Sequence, residues 1–395
     1  MKTVEQAKQI LFETISLNQT KEIEITDALN YVLAEDVYSP IDLPSFNQSA
    51  MDGYAVCSGG NLNRKEFDIV GEIKAGDTST IQLNPSEGVR IFTGAEVPKT
   101  ADVIIVQEKV SVVANKIKLT DSYKINDHIR FKGAQIKTGD LAIKKFTVLT
   151  PGAIGFVAML GLNKVKVYSH PNVSIIVTGN EIVTPGEALV GAKVYESNSY
   201  AISSALKQMG IENIHCSRAI DEESILEKKV EEAISISDVI ILTGGISVGK
   251  YDLVYDTLQK FGTEVLFYKV LQKPGKPILA GKINNKLVFA LPGNPASALV
   301  CFYEYVYPSI LKMIGMEKFE LRKMAIKSTN EIIKKEGRAL FIRSKITDDG
   351  VIELKGQGSD MLKAFAESDS FIYLAHDKNK VDENEVVEVH LLPGY

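Results

Sequence analysis

Asp238-Val-Ile-Ile-Leu-Thr-Gly-Gly-Ile-Ser-Val-Gly249 is an apolar run too short for a buried helix, closed by a stretch with three glycines and two hydroxyls. A run of this kind reads as a strand buried on both faces that ends in a loop opening the next helix. The same grammar repeats on either side. Apolar runs at 173–177, 214–219, 239–242, 264–268 and 287–291 alternate with stretches at 200–209, 222–234, 252–261 and 296–314. In those stretches apolar residues recur every three or four positions. Helices that cover a sheet need that spacing, so residues 170–316 are predicted to form successive βαβ units around a mostly parallel sheet.

Outward from this core the periodicity changes. Residues 44–138 alternate with period two, as in Arg90-Ile-Phe92 and Lys116-Ile-Lys-Leu119, with Gly, Asn and Asp at the breaks, which predicts a β-rich lobe. Residues 3–17 have the spacing of an amphipathic helix, and 25–33 that of a shorter one. Residues 139–169 hold an Ala/Gly/Leu stretch in which Pro151 suits a first helical turn. Segments 1–43 and 139–169 together are expected to form a discontinuous helical linker domain. Alternation returns over 317–395, as in Val386-Val-Glu-Val389, and predicts a small C-terminal β domain. The fold class is thus α/β multidomain.

With 395 residues, 45% hydrophobic and 24% charged, the chain is neither disordered, collagen-like nor coiled coil. Forty-five basic against 50 acidic residues leave a charge of −5, so nothing in the overall field points to nucleic acid. Cys57, Cys216 and Cys301 are odd in number and widely spaced, which excludes a disulfide framework or a Cys-rich zinc site and suits the cytoplasm. No apolar run reaches the ~18 residues of a membrane span. The five histidines are scattered, with no triad or zinc motif.

Ligands of open parallel sheets collect at the carboxyl ends of the strands, where helix N-termini present free N–H groups. Three groups of residues fall there. Thr243-Gly244-Gly245-Ile246-Ser247-Val248-Gly249 lets backbone amides approach a phosphate or a pterin edge; the alternative is an ordinary strand-to-helix turn. Pro292-Gly293-Asn294-Pro295 is a rigid loop on the same edge. Lys269, Lys273 and Lys276 surround a Pro-Gly turn, either as a solvated face or as a hold for a phosphate or oxyanion. Glu181, Asp221 and Asp252 are candidate Mg²⁺ ligands, because Mg²⁺ takes one or two carboxylates with phosphate oxygens; Asp221 also reads as a helix N-cap. The spacing matches neither a P-loop nor a dinucleotide fingerprint.

Pro44-Ser-Phe-Asn-Gln-Ser-Ala-Met-Asp52-Gly-Tyr-Ala55 resembles the most diagnostic loop of the MoeA family, the molybdopterin molybdenumtransferases related to the C-terminal part of gephyrin. Further segments follow in the family's order: Arg90-Ile-Phe-Thr93-Gly-Ala, Ile129-Arg130-Phe-Lys-Gly133, Val177-Thr178-Gly179-Asn180-Glu181, the 243–249 loop, Lys273-Pro-Gly-Lys276-Pro, Leu291-Pro-Gly-Asn-Pro-Ala-Ser297 and Gly356-Gln-Gly-Ser359. The resemblance spans the full chain. It implies a MogA-like central sheet and an enzyme that takes adenylylated molybdopterin and molybdate, releases AMP with Mg²⁺, and leaves molybdenum on the pterin dithiolene. It also implies a homodimer in which Asp52, Thr93 and Arg130 of one subunit face Glu181, Asp221, Asp252, Ser247 and the three lysines of the other. Thr178, Gly179, Gly244, Gly245, Gly249 and 292–295 would contact the pterin nucleotide. A molybdopterin-adenylyltransferase-type protein and molybdoenzyme acceptors are the implied partners. The chain departs from the pattern at Ala134-Gln135, Asn180 and Lys250, which make the site less negative or reshape it, and at Tyr195-Glu196-Ser197-Asn198, where Glu196 keeps the charge one methylene farther out. A gephyrin-like scaffold with reduced catalysis and tungstate insertion are the alternatives.

Overall fold

The runs read as doubly buried strands are so because helices cover both faces of one sheet. Along Val173–Thr178, Val239–Thr243 and Lys286–Leu291 successive side chains point to opposite sides. Ile175, Val239, Ile241, Phe289 and Leu291 pack into one apolar cluster, and Ile176, Ile240, Leu242, Val288 and Ala290 into another. The helices Val4–Glu13, Asn198–Gln208 and Pro295–Cys301 serve the first cluster. Glu223–Ile236 and Leu253–Lys260 serve the second. The computed structural model describes residues 1–78, 80–246, 252–334 and 337–394.

This six-stranded sheet has the order Ile214–Ala219, Val173–Thr178, Val239–Thr243, Lys286–Leu291, Leu279–Ile283, Glu264–Tyr268. The first four strands are parallel. Leu279–Ile283 runs against the other five and pairs antiparallel with both its neighbours, so the sheet is mixed at one edge. Leu279–Ile283 was not read from the sequence, because Pro277 and the glycine at 281 mask its alternation. The stretch 296–314 is not one α-helix: a π-helical turn, Phe302–Val306, separates Pro295–Cys301 from Tyr307–Met313.

The β-rich lobe is a second six-stranded sheet, ordered Val103–Val106, Gly53–Val56, Glu87–Ile91, Glu66–Ile73, Lys116–Leu119, Val110–Val113. The segment between it and the central sheet is less helical than its spacing suggests. Residues 25–33 contain only the 3-10 turn Ile25–Asp27, because Thr20–Glu24 pairs antiparallel with Lys164–Tyr168 and draws the chain into strand geometry. The one helix of 139–169 is Pro151–Met159, N-capped by Thr150. A third six-stranded sheet near the C-terminus includes Ala339–Thr347, Ser370–Leu374 and Val386–Leu391. Its Phe341 and Phe371 join the first apolar cluster of the central sheet, which fastens the two layers together.

Candidate active site

At the carboxyl ends of the parallel strands lies a cleft of about 620 Å³. Its floor comes from the strand ends themselves. The hydroxyls of Thr178 and Thr243 are buried there and have no hydrogen-bond partner among the described residues. Gly244 has φ +89, and a Cβ on it would lie 2.3 Å from the Thr178 carbonyl oxygen, so no side chain fits. That close approach lets the 243–246 turn expose its backbone to the cleft. Beside this turn lies the 292–295 loop, where a Cβ on Gly293 would fall 3.4 Å from Gly244 Cα, and Asn198 ties it down, its Nδ2 donating to the Gly293 carbonyl at 2.9 Å.

The charged residues lining the cleft are Glu181, Glu196, Asp221 and Asp360, with no Lys or Arg among the described lining residues. Glu196 accepts from the Ser199 amide at 2.8 Å and its hydroxyl at 2.6 Å. Asp221 does not cap the following helix: the N-cap is Glu222, whose side chain makes no capping bond to the helix backbone. Instead the Asp221 amide donates to Asn180 Oδ1 at 3.1 Å, and Asp221 Oδ2 accepts from the Asn180 amide at 3.4 Å. This brings the Glu181 and Asp221 loops together on one wall.

Asp252 is placed differently. It is 8% exposed, does not line the cleft, and has both oxygens engaged. Oδ1 caps the helix Leu253–Lys260 through the Tyr255 amide at 3.0 Å, and Oδ2 accepts from the Tyr268 hydroxyl at 2.7 Å. Burial and then that hydrogen bond push the Tyr268 hydroxyl's pKa up. Among the described residues no group of three or more His, Cys, Asp or Glu could hold a metal.

The lysine turn borders the cleft through Pro277, while Lys269, Lys273 and Lys276 are not among its lining residues. Its shape is imposed from below. Gly275 has φ +87, and a Cβ there would sit 2.4 Å from Cys301 Sγ. Gln272 Nε2 donates to the Pro274 carbonyl at 3.1 Å, and Gln272 Oε1 accepts from the buried Tyr305 hydroxyl at 2.5 Å. Lys269 Nζ lies over the Tyr268 ring, 4.4 Å from its centroid.

On the β-rich lobe, exposed Asp52 accepts from the Thr93 amide at 2.8 Å and hydroxyl at 2.7 Å. The amide bond first, and then the hydroxyl, hold its carboxyl below the usual range. Arg130 lies exposed in Ile129–Arg130, which pairs with Gln48–Ser49 beside the Asp52 loop. None of these three residues lines the cleft of the same chain. Ser247 and Gly249 lie outside the described residues. Sequence reasoning took in Glu196 and Asn198 only as part of the 195–198 stretch, with no site role given, and missed Asp360. The Gly356-Gln-Gly-Ser359 segment was a signal for Asp360, standing immediately before it.

Three family profiles match the chain: "MoeA N-terminal region (domain I and II)" over residues 2–161, "Probable molybdopterin binding domain" over 174–312, and "MoeA C-terminal region (domain IV)" over 325–392. A Haemophilus influenzae molybdopterin molybdenumtransferase is 35% identical, with 99% of this chain and 100% of that protein covered. A putative molybdopterin biosynthesis protein of Methanocaldococcus jannaschii is 30% identical, with 98% and 97% covered. The crystal structure of a molybdopterin biosynthesis MoeA protein from Pyrococcus horikoshii superposes with a TM-score of 0.86 at 31% identity, covering 100% of this chain and 99% of that one. Fold and cleft therefore define a multidomain α/β transferase of molybdenum cofactor biosynthesis. The chain belongs to the MoeA family, the molybdopterin molybdenumtransferases. Among the described residues no helix is long and apolar enough to cross a membrane.

Proposed function

We propose that the chain binds adenylylated molybdopterin and molybdate, and that cleavage of the phosphoanhydride with a divalent cation releases AMP as molybdenum joins the pterin dithiolene. The observation that carries this reading is the cleft's composition: amide-rich turns beside four carboxylates, with no described basic residue lining it. The turns attract phosphate oxygens and the carboxylates repel them, so a phosphorylated ligand needs a cation between. Mg²⁺ fits that donor set. Glu181 and Asp221, on one wall, would hold it, and when bound it would neutralise charge developing on the phosphate oxygens. Asp252, with both oxygens engaged, is assigned to shaping the start of its helix. Thr178 and Thr243 form the floor, their hydroxyls buried beneath it, and Gly179, Gly244, Gly245 and 292–295 offer backbone to the ligand.

Lys269, Lys273 and Lys276 are assigned to the oxyanion, at the margin of the cleft. Replacing Lys273 by Ala is expected to slow single-turnover AMP release roughly 100-fold, measured with adenylylated molybdopterin, molybdate and Mg²⁺. AMP release by wild type that survives full chelation of divalent cations would overturn the cation's role.

Asp52, Thr93 and Arg130 sit on a lobe none of whose described residues lines the cleft of its own chain, which supports their completing the cleft of a second copy in a homodimer. Asp52→Ala and Lys273→Ala subunits, each weakly active alone, are expected to regain AMP release when unfolded and refolded together. Failure to regain it puts both sites in one subunit. An adenylylating enzyme supplies the substrate and molybdoenzymes accept the product. The unpaired Cys57, Cys216 and Cys301 suit a reducing cytoplasm.

A further inference from the structure

The C-terminal sheet reaches the cleft through one buried cation. Arg343, in Ala339–Thr347, has no solvent exposure. Its Nη2 donates to the carbonyl oxygens of Gly356 at 3.0 Å and Gly358 at 3.1 Å. Gln357 between them is clamped to the same residue's backbone: its Oε1 accepts from the Arg343 amide at 3.0 Å, and its Nε2 donates to the Arg343 carbonyl at 2.8 Å. The turn leads directly into Ser359. Its carbonyl accepts the Ala296 and Ser297 amides at 3.1 and 3.2 Å, and its Oγ accepts from Asn294 Nδ2 at 2.7 Å. Asn294 and the next residue, Asp360, both line the cleft.

A guanidinium is an expensive group to bury, and here Nε and Nη1 have no hydrogen-bond partner among the described residues, although Cζ lies over the Phe365 ring, 5.8 Å from its centroid. A position that needed only bulk would be served as well or better by an apolar side chain of similar volume. What the guanidinium adds is a pair of charge-assisted bonds on two carbonyls of one turn. Contacts then run without a break from Arg343 through the turn and the N-terminus of Pro295–Cys301 to the cleft wall.

We propose that Arg343 is a positioning residue for the cleft: it sets the 356–360 loop so that Ser359 holds the helix N-terminus and Asp360 faces the ligand. This rests on the reading that the cleft takes the AMP-bearing end of the substrate. The test is Arg343→Met in the full-length protein, read by thermal unfolding, by amide hydrogen exchange at Ala296 and Ser297, and by calorimetric titration with AMP and Mg²⁺. The thermal midpoint is expected to be unchanged or raised, exchange at the two amides to be faster, and AMP binding to be roughly 3- to 30-fold weaker. Arg343→Lys, which keeps a cation but loses the planar two-hydrogen nitrogen, is expected to be intermediate in both readouts and serves if the Met variant does not fold. Wild-type exchange at the two amides in either variant overturns the proposal, and so does faster exchange with unaltered AMP affinity. Wild-type protein that fails to bind AMP defeats the nucleotide reading instead, and the exchange data then still decide whether Arg343 docks the loop.

Discussion

Replacing Glu304 by Gln is expected to destabilise the protein by about 3–5 kcal/mol, the usual loss when one partner of a buried ion pair is removed. Glu304 lies in the π-helical turn Phe302–Val306 with no solvent exposure. One oxygen accepts from Lys8 Nζ at 2.5 Å, and the other meets His390 Nδ1 at 2.7 Å. His390 Nε2 in turn lies 2.8 Å from Glu388. Lys8 comes from the first helix and His390 from the last strand, so a single carboxylate joins three parts of the chain. Burial opposes its ionisation, but Lys8 and then His390 outweigh that and hold its pKa down at about 2. Burial likewise opposes the imidazolium of His390, while Glu304 and then Glu388 raise its pKa above the ordinary value.

The signs of these shifts set a pH window. Glu304's contribution is complete above its unfolded pKa of about 4.3 and is lost as pH falls through its folded value. His390's contribution is complete below about 6.5 and is lost as pH rises through its raised folded value. The cluster therefore stabilises most between roughly pH 4.3 and 6.5. Urea titrations of wild type and Glu304→Gln across pH 3–8 check this. The gap between the two proteins should be widest near pH 5–6 and should close as pH falls towards 2. A gap under about 1 kcal/mol at its widest would mean that the cluster behaves as a surface pair.

The second large effect is at Gly244. Its φ of +89 is costly for any residue with a side chain, and the added Cβ would press on the Thr178 carbonyl oxygen at 2.3 Å and on Oγ1 at 2.9 Å. The first of these is backbone, so the strand end itself must shift. Strain of about 1–3 kcal/mol from the left-handed conformation adds to about 1–3 kcal/mol of overpacking. The site suffers more than the fold. Thr178, Thr243 and the adjoining 292–295 loop share that floor, and a displacement of about 1 Å can cost roughly 100-fold in rate. Gly244→Ala is thus expected to lose about two orders of magnitude in single-turnover AMP release. Gly262→Ala is the control: its φ is +70, but a Cβ there meets nothing within 4 Å, so it should carry strain alone and keep its rate. Equal rates in the two variants would show that the 243–246 turn does not shape the reacting site.

Some of this was legible because the signal is local. The strands expected at 214–219 and 264–268 occur as Ile214–Ala219 and Glu264–Tyr268, the two edges of the sheet, in which only Ala219 and Phe267 are buried. Residues 25–33 were misread because their apolar spacing suits a helix, whereas the pairing of Thr20–Glu24 with Lys164–Tyr168 is long-range and leaves no mark in the spacing. Asp252 looked like Glu181 and Asp221 in sequence, being acidic and just past a strand. Only the packing of Tyr268 and the start of Leu253–Lys260 against it sets it apart.

By itself the amino-acid order determined the layers, the glycine-rich turns at the strand ends and the family, because periodicity and small-residue placement follow from neighbours a few positions away. Tertiary structure alone decided that Leu279–Ile283 runs against its sheet, which carboxylates face the cleft, and that Arg343 of the last domain reaches it through Ser359. Those outcomes depend on segments far apart in the chain meeting in space, where burial and hydrogen-bond geometry decide which side chains stay free to bind a ligand.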